Sequence, residues 1–146
     1  MPLIFINTDN SDTQNKLYNS TKAGGAKAEE LMQKAVKKVF DKANGFTTSK
    51  TKNSKGYSIK LTVTKVEIGD HDTKCSLSGE LLNYPREVSK SKEAGGGSGM
   101  ASTTWTGNGK VTGTKQDDIE FCVESIAEDM ALKAIPRIKE HFGKMR

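Results

Sequence analysis

Between Tyr57 and Val111 apolar and polar residues alternate, which confines that stretch to a β-sheet with one buried face. Tyr57, Ile59, Leu61, Val63, Cys75, Leu77, Leu81, Trp105 and Val111 share one parity. Ser58, Lys60, Thr62, Ser76, Ser78, Thr104, Thr106 and Lys110 take the other. Strand side chains point to opposite faces with period two, so the first set faces a core and the second forms a hydroxyl- and lysine-rich face. The phase slips at Thr64-Lys65, after which Val66 and Ile68 carry the apolar parity. One extra residue that inverts the pattern is the signature of a β-bulge.

The strands follow from this pattern. One runs from about Tyr57 to Ile68, and Gly69-Asp70-His71-Asp72 makes a hairpin loop. Its partner runs from about Thr73 to Leu82 and ends at Asn83-Tyr84-Pro85. A third antiparallel strand, from about Met100 to Thr112, is small on its apolar side, where Ala101, Thr103, Gly107 and Gly109 surround Trp105. Such glycines allow a neighbouring element to approach closely. Residues 3–7 add a short β-branched and aromatic run, read as a strand buried on both faces.

Two segments have helical periodicity. From about Lys27 to Ala43 the stripe is Ala28, Leu31, Met32, Ala35, Val36, Val39, Phe40 and Ala43, stopped by Asn44-Gly45. The second helix opens at Thr114-Lys115-Gln116-Asp117, which resembles a capping box. It runs to about Phe142 through Ile119, Cys122, Val123, Ile126, Met130, Ala134 and Ile138. Pro136 removes one hydrogen bond and predicts a kink or a split near Ala134.

The expected architecture is a single α+β domain over residues 1–146, in two layers and in the order β-α-β-β-β-α. A four-stranded, mostly antiparallel sheet has both helices packed on its one apolar face. Flexible segments are expected at about 8–25, 46–56 and 86–99, the last containing Gly95-Gly96-Gly97. This strand–helix–meander–helix order is similar to that of small domains of bacterial envelope assembly factors, and it carries over no residue role.

Composition narrows the function classes. Apolar residues are 34 % and charged residues 28 %, so the core is thin and the surface well solvated. No run approaches the roughly 18 apolar residues of a membrane span. The short apolar run at residues 3–6 is preceded by no basic residue, so the sequence as it stands reads as cytoplasmic. Cys75 and Cys122 are read as buried free thiols acting as small hydrophobes, a bridge being possible only if the strand face and helix face that carry them meet.

The net charge of +5 is unevenly spread: residues 22–60 hold ten lysines against Glu29, Glu30 and Asp41, a net +7. Lys34, Lys38 and Lys42 form a ridge on the first helix, and Lys50, Lys52 and Lys55 lie close together in the loop after it. That lobe could follow a phosphate backbone weakly and without sequence preference. Base-stacking aromatics are missing from the polar strand residues, and arginine occurs only at 86, 137 and 146.

Catalytic chemistry is thinly represented. His71 lies between Asp70 and Asp72 in a turn and His141 near a helix end, with no converging ligand set for a metal and no cofactor fingerprint. Gly-x-Ser-x-Gly, Walker A and Rossmann patterns are absent. The expectation is a non-enzymatic protein-interaction or assembly module that binds a protein partner or itself, with no membrane. It would use the polar sheet face (Lys60, Thr62, Thr104, Thr106), an open edge at the first strand, or the flexible loops. Weak nucleic-acid binding through the 22–60 lobe is the alternative, and a small enzyme whose site the sequence does not display is the second.

Overall fold

The computed structural model describes residues 3–8, 26–84 and 103–144. The expected loops at 8–25 and 86–99 fall almost wholly outside the described residues. The elements are β1 (Ile4–Asn7), α1 (Ala26–Asp41), β2 (Phe46–Thr47), β3 (Gly56–Ile68), β4 (Asp72–Tyr84), β5 (Thr103–Thr112) and α2 (Gln116–Lys144). The fold is α+β. Its sheet is five-stranded and mixed, in the order β2-β1-β3-β4-β5, and not the four-stranded one expected. The added strand comes from the supposed 46–56 loop. Gly45, at φ 90°, turns the chain out of α1, and Phe46 and Thr47 then pair in parallel with Ile4 and Phe5.

β1 is therefore internal, parallel to β2 on one side and β3 on the other. Its expected open edge is covered by β2 at Ile4 and Phe5. Burial on both faces follows: Ile4 and Ile6 join the core under the helices, while Phe5, on the opposite face, packs against Tyr84 with ring centroids 5.1 Å apart.

The meander matches the parity argument closely. Across β3, β4 and β5 the buried rows are Ile59–Leu81–Thr103, Leu61–Gly79–Trp105 and Val63–Leu77–Gly107. The polar rows between them are Lys60–Glu80–Thr104 and Thr62–Ser78–Thr106. Pairing shifts between Val63 and Lys65, so Thr64 is the bulged residue. Its Oγ1 donates to the Ser76 carbonyl at 3.1 Å. Val66 then stands opposite Cys75 and packs on the core. Ile68, at the hairpin end, is exposed.

Both helices supply the core. Met32, Val36 and Phe40 of α1, and Val123, Met130 and Ile138 of α2, are fully buried with Leu61 and Leu77. Each such side chain contributes about 1.5–3 kcal/mol of transfer free energy. α1 packs on α2 and over β2 and β3; α2 lies over β4 and β5. The small residues of β5 have the predicted effect. A Cβ at Gly107 would come within 2.8 Å of Ile126 and Met130, and one at Gly109 within 2.9 Å of Ile126, so α2 sits directly on the strand.

Three local expectations need correction. The cap of α2 is displaced by one residue. Ile119 N–H donates to the Lys115 carbonyl, and Asp118 Oδ2 accepts the Lys115 N–H at 3.1 Å, so only the carboxylate half of a capping box forms. Pro136 does not split the helix, which runs unbroken to Lys144. The carbonyl that loses its N–H partner belongs to Leu132, and both residues are exposed. Cys75 and Cys122 are joined in a disulfide, with Cα atoms 6.4 Å apart. Because α2 crosses β4, the two apolar faces carrying the cysteines do meet.

At the exit of α1, Lys37 Nζ donates to Asp41 Oδ2 at 2.7 Å and Thr48 Oγ1 donates to the other oxygen. These hydrogen bonds, Lys37 first, hold the Asp41 carboxyl below its ordinary 3.8. A carboxylate with a depressed folded pKa adds stability above its unfolded value and loses it as pH falls through the folded one. Both partners are largely exposed, so the effect is small. Asp41→Asn is expected to lower Tm by about 1–3 °C at pH 7. The difference should shrink as pH falls through the depressed folded pKa and vanish once Asp41 is protonated in both states; one that persists in fully acid melts would be inconsistent with the ion pair as its source.

Candidate functional site

The sequence-predicted lysines do not form one site. Lys34 and Lys50 come together, with Lys37, around a groove of about 440 Å³ that Phe5, Asn7 and Thr48 also line. It lies where β1 continues past the two-residue β2. Lys38 turns away to Glu128 of α2 at 3.2 Å. Lys42, Lys52 and Lys55 are exposed and do not line the groove. Within it Lys37 is held by Asp41, and the Lys50 Nζ stands 5.7 Å from the Tyr84 ring centroid. The positive charge available to an anion is thus reduced from what the count of lysines suggested.

The other four candidates do share a surface. Lys60 and Thr62 of β3 face the same side as Thr104 and Thr106 of β5, two residues away across β4. Neither helix covers that side. Further along it Ser76 Oγ bonds Asn108 Oδ1 at 2.6 Å, and Lys110 reaches Asp72 at 3.7 Å. The face thus carries cross-strand hydrogen bonding and ion pairing of its own.

It is not free of aromatics, as the sequence had implied. Phe5, Gly56 and Tyr84 are aligned across β1, β3 and β4, and the two rings meet over the glycine that carries no side chain. The signal was present: Tyr84 has the parity of Ser78 and Glu80.

The open edge is β5. Gly113 N–H donates to the His71 carbonyl at 2.8 Å, one step beyond the pair Asp72–Thr112. Antiparallel pairs alternate between bonded and non-bonded, so the odd-numbered residues of β5 bond to β4. The N–H and C=O groups of Thr104, Thr106, Asn108, Lys110 and Thr112 point outward, and all five residues are exposed. Among the described residues no strand pairs with that side.

His71 is exposed in the hairpin turn, and the side chain of His141 falls outside the described residues. Among the described residues no three His, Cys, Asp or Glu side chains converge, and no helix is long and apolar enough to cross a membrane.

No family model matches the chain, and no curated protein matches it. Among solved structures, a "putative lipoprotein" from Caulobacter crescentus CB15 has the same fold. The two superpose with a TM-score of 0.52 at 11 % identity, covering 84 % of this chain and 88 % of that one. At that identity the likeness concerns the fold alone.

Proposed function

We propose that the chain is a non-enzymatic protein-interaction or assembly module that docks through the β5 edge and the adjoining polar sheet face. The observation that carries this reading is the outward row of backbone groups on β5, ten residues long with no partner strand among the described residues. An edge of that kind is a template for strand addition, in which main-chain hydrogen bonds give affinity and alternate side chains give specificity. The nucleic-acid alternative draws on the groove at Lys34 and Lys50, but Lys37 and Lys38 are already engaged by carboxylates, so we rank it second. The Cys75–Cys122 bridge supports an oxidising compartment as the place of action, in preference to the cytoplasm.

Asn108→Pro tests the docking surface. The substitution removes an outward N–H and leaves the β4 ladder intact, as proline on an edge strand does. Immobilised wild-type protein is expected to retain a partner that the variant releases. Equal recovery by both, or no recovery by either, would count against docking through this edge.

A further inference from the structure

We infer that the β5 edge pairs with the β5 edge of a second copy, antiparallel, across a twofold axis at Asn108. This deepens the interaction-module reading and rests on it. The first support is that, among the described residues, no strand pairs with the outward side of β5 and the strand itself carries little that would blunt it. Natural edges are blunted by proline, bulges, short length or several charges. β5 spans Thr103–Thr112 with no proline and a single charged residue, Lys110, and its register against β4 is unbroken.

The second support is that the strand complements itself. Two strands can pair here only if their outward-bonding residues face one another, which restricts the hydrogen-bonded pairs to even-numbered residues. Centred on Asn108, the register sets Thr104 against Thr112 of the second copy, Thr106 against Lys110, and Asn108 against Asn108. No like charges meet, and the opposed hydroxyls and amides can hydrogen-bond. On the helix side the same register sets Trp105 against Val111 and Gly107 against Gly109. The parity of the two faces is preserved, so the sheets continue into one another with the helices of both copies on one side.

The arrangement uses what each monomer leaves unfinished. All five outward-facing β5 residues gain main-chain partners, and Val111, half-buried in the monomer, gains cover from the facing Trp105. Twofold pairing also closes the assembly: each β5 edge is consumed by the other, so no filament follows.

Sedimentation equilibrium on the full chain over about 10–300 µM tests the inference. The wild-type mass is expected to rise from that of the 15.9 kDa monomer to twice that value. Thr106→Glu places a carboxylate opposite Lys110 and is expected to tighten the dimer about fivefold; Thr106→Lys should weaken it by a similar factor. Asn108→Pro, checked as folded by circular dichroism, should be monomeric throughout. A wild-type chain monomeric at every concentration overturns self-pairing, as does a dimer indifferent to all three substitutions. If the monomeric protein still retains a partner that Asn108→Pro releases, self-pairing fails and the broader reading survives. If nothing is retained, both fail.

Discussion

Gly56→Ala is expected to dislodge β1 and to cost on the order of 4 kcal/mol, among the larger effects a single methyl can have. An alanine Cβ at this position would be driven into the Phe5 carbonyl oxygen, within 2.7 Å of its carbon and 2.8 Å of the Phe5 nitrogen. The obstacle is backbone, and that backbone is pinned. Phe5 N–H donates to the Lys55 carbonyl at 3.2 Å, and Phe5 pairs with Thr47 on its other side. Relief requires β1 to leave β3, which frees β2 as well and exposes Ile4, Ile6 and Phe46, all now buried. For a chain of this length the loss corresponds to a Tm decrease of roughly 10–15 °C. Gly45→Ala is the matched control. Its φ of 90° is strained for alanine, but nothing lies within 4 Å of the added carbon, so about 1 kcal/mol is expected. Thermal melts distinguish the two, and hydrogen exchange should show lost protection at Ile4–Asn7 in Gly56→Ala alone. Equal stability of both variants would refute the close approach of β1.

The same position shows why part of the fold was legible and part was not. Alternation from Tyr57 to Val63 declares a half-buried strand, and the slip at Thr64 locates the bulge, because each is a local consequence of period two. Gly107 and Gly109 likewise announce a close neighbour without naming it. β2 could not be read: two residues, Phe46 and Thr47, are too few to show any period, and only their pairing with Ile4 and Phe5 makes them a strand. The consequence reaches the candidate site. An extra strand covers β1 at Ile4 and Phe5, which leaves β5 as the longer edge without a partner strand among the described residues. Gly56 read as the end of a polar loop because its role depends on Phe5 and Tyr84, which are remote in sequence. The lysine lobe was legible as charge, but which amines are neutralised depends on Asp41 and Glu128 meeting Lys37 and Lys38 in space.

Removing the cross-link by Cys75→Ala with Cys122→Ala is expected to leave the chain folded but less stable by about 4 kcal/mol, or roughly 10–15 °C in Tm. The estimate follows from chain entropy: the bridge closes a loop with a sequence separation of 47, and releasing it enlarges the unfolded ensemble. The fold itself should persist, since α2 is also held by Ile126 and Met130 lying on Gly107 and Gly109, and by Ile119 and Ile138 in the core. Alanine is the informative replacement. Serine would add a buried hydroxyl without a partner, costing a further 1–3 kcal/mol or so and masking the entropic term. Wild-type protein unfolded and refolded with reductant should melt with the double variant, whereas oxidised protein should not. Coincident melts of oxidised wild type and double variant would show that the bridge does no more than fill space. The result also bears on β5. α2 backs that strand from the helix side, so a helix released from Cys75 leaves the edge less firmly held flat, and any assembly through it should weaken in the double variant without a substitution on β5 itself.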